Sequence, residues 1–123
     1  MTDRLRLAGA LVDVPRADHA RAVAFWSAAL GQDPEYSEKF PDYAQYDDVT
    51  PGLYFMVQAT GDDTRRVHID LESDDRDSEV ARLVELGATE VVRQHHWVAM
   101  RDPAGVTFCI VQNTKPSAGS ANG

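Results

Sequence analysis

The sequence predicts an α+β fold in which two paired βαβββ modules form a half-open barrel with the helices outside. Three observations lead there. The order strand, helix, three short strands occurs twice; the second occurrence repeats the caps and stops of the first at a near-constant offset; and 123 residues are too few for two full-size domains.

The first element runs from Leu5 to Val14, mostly apolar and β-branched or small, the composition of a buried strand that Pro15 ends. Asp18 stands as N-cap for a helix from His19 to Leu30, with Ala22, Phe25, Trp26, Ala29 and Leu30 at helical spacing and Gly31 as the stop. Short strands are expected at Glu35–Ser37, Tyr43–Tyr46 and Leu53–Gln58, separated by the turn residues Phe40-Pro41-Asp42 and Thr50-Pro51-Gly52. After a polar turn at Thr60–Thr64 the order restarts. Val67-His68-Ile69-Asp70-Leu71 alternates as a strand, with its apolar side chains facing one way and His68 and Asp70 the other. Asp74 or Asp75 caps a second helix whose stripe is Val80, Leu83, Val84 and Leu86, with Gly87 as its stop. Strands then follow at Glu90–Arg93, His96–Arg101 and Val106–Gln112. Module one thus spans about 5–59 and module two about 65–113, together one domain over 1–113. The tail at 114–123 is small and polar, and disorder is expected there.

Sliding the sequence on itself supports the repeat. At an offset of 56, Asp18 falls on Asp74, Leu30 on Leu86 and Gly31 on Gly87; at an offset of 54, Phe55 falls on Cys109 and Val57-Gln58 on Val111-Gln112. One helix and four strands cannot cover both faces of a sheet, so the modules are expected to join and enclose a cup.

The balance of 12 basic and 20 acidic side chains, net −8, argues against nucleic acid and anionic membrane as partners. The single cysteine, Cys109, rules out an intrachain disulfide and a zinc site built from several thiolates, and suits a reducing cytoplasm. The apolar run at Leu7–Val12 is too short for a secretory or membrane segment, so cytoplasmic location is expected.

Three stretches resemble the vicinal oxygen chelate superfamily, the glyoxalase/bleomycin-resistance/dioxygenase group. They are Asp18–Gly31 with Phe25-Trp26 and Ala29-Leu30-Gly31; His68-Ile69-Asp70-Leu71 with Leu86-Gly87-Ala88; and Trp97 through Asp102-Pro103-Ala104-Gly105 to Phe108-Cys109. The last two are most similar to small glyoxalase-like domain proteins. The resemblance implies paired βαβββ modules and, in metal-dependent members, ligands from the first and last strand of each module. His68 lies 19 residues before Gly87, the spacing of such a ligand. The other positions fall on Leu11 or Val12, on Phe55 and on Cys109, seven residues after Asp102. At most two of the four keep a donor, so the usual metal site is expected to be lost and no cofactor is expected. The alternative recruits Asp70, His95 or His96 to a nickel, zinc, manganese or iron ion.

His68 and Asp70 repeat along a strand face at about 7 Å, too far for a direct hydrogen bond unless both bend. His95 and His96, as strand neighbours, face opposite sides, so one is expected to meet solvent and the other to line the cup or the dimer seam. Cys109, flanked by Phe108 and Ile110, reads as a packed thiol, and Trp97 as either core or the aromatic wall of a cavity. The acidic clusters and the Asp102–Gly105 turn read as turn and helix-start chemistry. The expected function is therefore binding of a small organic molecule in a cup lined by His68, Asp70, Cys109, Phe55 and Trp97. A metal-dependent lyase or dioxygenase and a bleomycin-resistance-like dimer sequestering a cationic drug are the alternatives. A symmetric homodimer is expected, because single chains leave sheet edges open.

Overall fold

The computed structural model describes residues 5–38 and 41–113; the expected tail lies outside these. Strands β1 (Arg6–Pro15), β2 (Tyr43–Thr50), β3 (Leu53–Thr60), β4 (Arg66–Ser73), β5 (Thr89–Arg93), β6 (Trp97–Arg101) and β7 (Thr107–Gln112) form one open mixed sheet in the order β2-β3-β1-β4-β7-β6-β5. Helices α1 (His19–Leu30) and α2 (Arg76–Glu85) follow β1 and β4, so the expected α+β class and its repeated order are present. The chain divides into two compact units, Ala8–His68 on the one hand and Met1–Leu7 with Ile69–Gly123 on the other.

In the unit Ala8–His68, β1 runs parallel to β3 and β2 antiparallel to it. Ala44, Tyr46 and Val57 are fully buried, and Ala22, Val23 and Trp26 of α1 pack on them. Phe25 is 62% exposed, so the helix stripe is narrower than its apolar residues suggest. Phe25 meets Trp26 edge to face, at the margin of the core. The Tyr46 hydroxyl, buried with its ring, is shared between Ser27 Oγ at 2.8 Å and the Val23 carbonyl at 3.2 Å. That satisfies the polar end of an otherwise apolar side chain. Asp18 occupies the N-cap position without capping; its carboxylate pairs with Arg21 and Arg65 instead. The strand expected at Glu35–Ser37 shrinks to a single bridge between Glu35 and Gln45, so among the described residues module one has one strand fewer than module two.

In the other unit, β4 runs parallel to β7, with β6 and β5 added antiparallel. Val80 of α2 packs on Val98, Met100 and Ile110, all fully buried on one face of the strands. Asp75 caps α2, accepting from the Ser78 amide at 3.2 Å. Gly87 ends the helix at φ 114, where its missing Cβ leaves room for Pro103; a Cβ would lie 3.3 Å from the proline ring. Two of the resemblance motifs therefore meet, and their role is to fit a helix end onto a strand turn. Within that turn Asp102 accepts from the amides of Ala104 and Val106, both at 2.8 Å, as expected of turn chemistry.

Candidate functional site

Strand β4 alternates as its sequence predicts, and burial falls on the polar side. Val67 and Ile69 are 65% and 43% exposed, whereas His68 and Asp70 are only 8% and 6% exposed. Burying an imidazole or a carboxylate costs several kcal/mol unless polar partners replace water, so such an inversion demands partners.

Asp13 of β1 is one of them. It is 1% exposed, and its Oδ2 accepts from His68 Nδ1 at 2.8 Å and from Arg66 Nε at 3.0 Å. Because a carboxylate only accepts, His68 Nδ1 carries a proton. Arg66 compensates the buried charge while staying half exposed itself. Asp13 Oδ1 is buried with no hydrogen-bond partner among the described residues. Sequence reasoning had left Asp13 inside an apolar strand. An acid at the buried end of Leu7–Val14 was the available signal, because a carboxylate there needs a cation or a donor.

Asp70 lies directly opposite Cys109 in the β4–β7 register. One donor atom from each of His68, Asp70 and Cys109 falls within 4.8 Å of the others, closer than the strand repeat alone would bring His68 and Asp70. Cys109 is half-buried and points away from Phe108 and Ile110, which pack toward α2. Trp97 shares its face, since Ala99 opposes Cys109 and Trp97 opposes Val111.

Phe55 does not belong to this set. It packs against Trp26, with ring centroids 4.9 Å apart, and against Tyr46 at 5.9 Å, on the side of β3 that α1 covers. The cause is a slip of one residue. The buried positions Val57 and Ile110 match at an offset of 53, which aligns Met56, not Phe55, with Cys109, and one residue of register turns a strand over. In β1, Leu11 pairs with Met56 as Asp70 pairs with Cys109, so Leu11 is the counterpart of Asp70, and the counterpart of His68 is Gly9 rather than Leu11 or Val12. Two places further back Gly9 lies against Tyr54, where a Cβ would come within 2.4 Å of the Tyr54 carbonyl oxygen.

His95 and His96 are exposed in the hairpin between β5 and β6, stacked edge to face at 4.6 Å; His96 precedes β6 rather than belonging to it. The expected placement of one of them on an inward strand position is not found. The Arg93 guanidinium, bonded to Glu90 and Asp77, holds both carboxyls below the usual range, and Arg76 adds to the effect on Asp77.

The donor types of His68, Asp70 and Cys109 are ones a divalent ion accepts, at separations up to 4.8 Å. A three-ligand zinc site needs nitrogen, oxygen or sulfur donors roughly 3.4–3.6 Å apart, as follows from metal–ligand lengths of about 2.0–2.3 Å. A carboxylate on the far nitrogen of a ligating histidine is the usual outer support, and Asp13 stands there. His68, Asp70 and Cys109 would hold the ion.

The family model of the glyoxalase-like domain matches residues 10–111. The chain belongs to the glyoxalase-like domain family. This places it in the vicinal oxygen chelate superfamily, as the motifs imply. A search of curated proteins returns no match. Among solved structures, the fold is similar to that of a Streptomyces coelicolor methylmalonyl-CoA epimerase variant in complex with 2-nitronate-propionyl-CoA. The TM-score is 0.63 at 17% identity, covering 92% of this chain and 100% of the other. A hypothetical protein of Bacillus halodurans C-125 gives 0.71 at 10% identity, over 94% and 99%. An NAD-dependent benzaldehyde dehydrogenase from Legionella pneumophila gives 0.63 at 14%, over 84% and 97%. At these identities the likeness concerns the fold.

Proposed function

We propose that this glyoxalase-like domain, acting as one unit over residues 1–113, binds a small organic molecule on the sheet face that carries His68, Asp70, Cys109 and Trp97. The supporting observation is the buried Asp13–His68 pair, which fixes the imidazole in a setting with little competing water. Trp97 offers an apolar surface beside the polar groups, the usual make-up of an organic ligand site. Gly9 and Met56 stand where the counterparts of His68 and Cys109 fall in the first module; glycine has no donor and a thioether is a weak donor for most first-row ions. We therefore take that arrangement as lost.

The epimerase complex suggests an acyl-coenzyme A ester as the first ligand class to test. Native mass spectrometry of the purified protein, followed by titration with short acyl-coenzyme A esters, is the experiment. A retained organic adduct, or saturable binding that His68→Ala abolishes, supports the reading. Binding indifferent to His68→Ala overturns the assignment of the site.

The convergence of His68, Asp70 and Cys109 favours an enzymatic second reading, a metal-dependent lyase or dioxygenase. A bound ion would act there as a Lewis acid on a ligand oxygen. His68, its Nδ1 proton held by Asp13, would fix the direction of approach.

We further take the working form as a symmetric homodimer. Edge strand β5 is exposed throughout, with Val91 and Val92 at 40% and 43%, and a second copy would cover it. Light scattering should report twice 13.6 kDa; the monomer mass at micromolar concentration would overturn this.

A further inference from the structure

We propose that the sheet face carrying Trp97 and Cys109 takes an organic anion, with Arg101 anchoring an oxyanion headgroup and Trp97 receiving an apolar or aromatic body. This rests on the ligand site proposed above and adds the charge and length of its occupant. Every residue it invokes lies in the compact unit that holds β5, β6 and β7.

Arg101 is an exception in its own chain. Acidic side chains outnumber basic ones by 20 to 12, and every other described arginine sits within ion-pair distance of a carboxylate. The Arg101 guanidinium has no ion pair or hydrogen bond among the described residues. The adjacent Asp102 does not supply one, because its carboxylate turns onto the amides of Ala104 and Val106.

The register gives that guanidinium a direction. Val98 and Met100 are buried toward α2, so Trp97, Ala99 and Arg101 leave β6 on the opposite face, which Cys109 shares as the partner of Ala99. On the neighbouring strands Arg101 stands opposite Thr89 and Thr107. Side chains so paired have Cβ atoms about 4.5–5.5 Å apart, which sets a hydroxyl on each side of the cation. A guanidinium grips two oxygens side by side, and hydroxyls can donate to the lone pairs that remain. Trp97 lies four residues back along β6, about 13 Å at the strand rise, with the small Ala99 as a low floor between them. An aromatic acid spans that gap once the arginine side chain bends inward. The net charge of −8 does not oppose this, since at about 0.15 M salt charges beyond roughly 8 Å are screened and the local cation decides.

Isothermal titration calorimetry on the full chain tests the proposal with naphthoate, naphthyl phosphate and the neutral naphthamide. At least one anion should bind saturably at one site and the amide far more weakly; the tighter anion identifies the headgroup as carboxylate or phosphate. Arg101→Gln should weaken anion binding about 10-fold and leave the amide unaffected, the loss expected for a charge-assisted bond. Arg101→Lys should fall between, since the charge stays and the planar fork goes. Trp97→Ala should weaken anion and amide alike, and circular dichroism checks that each variant is folded. No saturable binding of either anion, or an anion affinity that Arg101→Gln leaves unchanged, overturns the proposal. Anion binding that needs Arg101 but ignores His68→Ala supports it and removes His68 from the site; acyl-ester binding that needs His68 but ignores Arg101→Gln does the reverse.

Discussion

Replacing Asp13 with alanine removes the carboxylate that holds both His68 and Arg66. The two lost bonds differ in weight. Arg66 is 47% exposed at its side chain, so water takes over its contact, and a half-exposed ion pair contributes about 0–1 kcal/mol. His68 has no such recourse at 8% exposure. Its bond to a charged acceptor contributes about 1.5–3 kcal/mol, and the Nδ1 proton is left buried without an acceptor. Asp13→Ala should therefore cost about 3 kcal/mol, a large share of the roughly 5–15 kcal/mol that holds a domain together. Asp13→Asn should cost about half as much, since its carbonyl oxygen can take the Oδ2 place without the charge. Urea denaturation followed by circular dichroism measures both, with an unchanged slope required for the comparison. Nitrogen-15 spectra of the histidines should show one Nδ1-protonated tautomer for His68 in the parent protein and a mixture in Asp13→Ala. A loss below about 0.5 kcal/mol with the tautomer unaltered would refute the assignment of Asp13 as its holder.

Other expectations follow from packing and charge. Ile110→Ala should lower stability by about 2–4 kcal/mol in the same urea experiment, because the side chain is fully buried against Val98 and Met100. Gly9→Ala places a Cβ against backbone that cannot move aside, so soluble yield and melting temperature should both fall sharply; a native melting curve would contradict the close approach. Asp77 and Glu90 have lowered folded pKa values, so their contribution is complete above the ordinary carboxylate range near about pH 4 and disappears as pH falls through the lower folded values. Melting temperatures of parent and Arg93→Gln should accordingly differ at neutral pH, more so at low salt, and converge in acid. A constant gap across the titration would count against the pairing.

The helices and most strands were legible because their signals are local. His19–Leu30 follows from spacing and Gly31, and the β4 alternation from period two. What was lost depended on distance in sequence. Glu35–Ser37 has strand-like residues, yet only Glu35 finds a partner, in Gln45. Phe55 was placed by a strand offset of 54, one residue away from the 53 at which the buried Val57 and Ile110 match. A helix tolerates such a drift, whereas in a strand it exchanges the two faces. Asp13 was overlooked because its partners, Arg66 and His68, lie more than fifty residues further on. Conversely His68, Asp70, Cys109 and Trp97 were named from motif spacing, and the register aligns them because each keeps the parity of its strand.

Gln112 closes β7 and serves as a fastening. Its side-chain oxygen accepts from the Arg76 amide at 3.0 Å, its side-chain nitrogen donates to the Asp74 carbonyl at 2.7 Å, and its backbone amide reaches the His96 carbonyl at 3.2 Å. Arg76 in turn clasps the Gln94 and His95 carbonyls. Gln112 thus ties the end of β7 to the start of α2 through its side-chain amide and to the histidine hairpin through its backbone amide. The carbonyls of Gln94, His95 and His96 are thereby held from the helix start and the strand end, an anchorage that opposes a swinging motion of the hairpin.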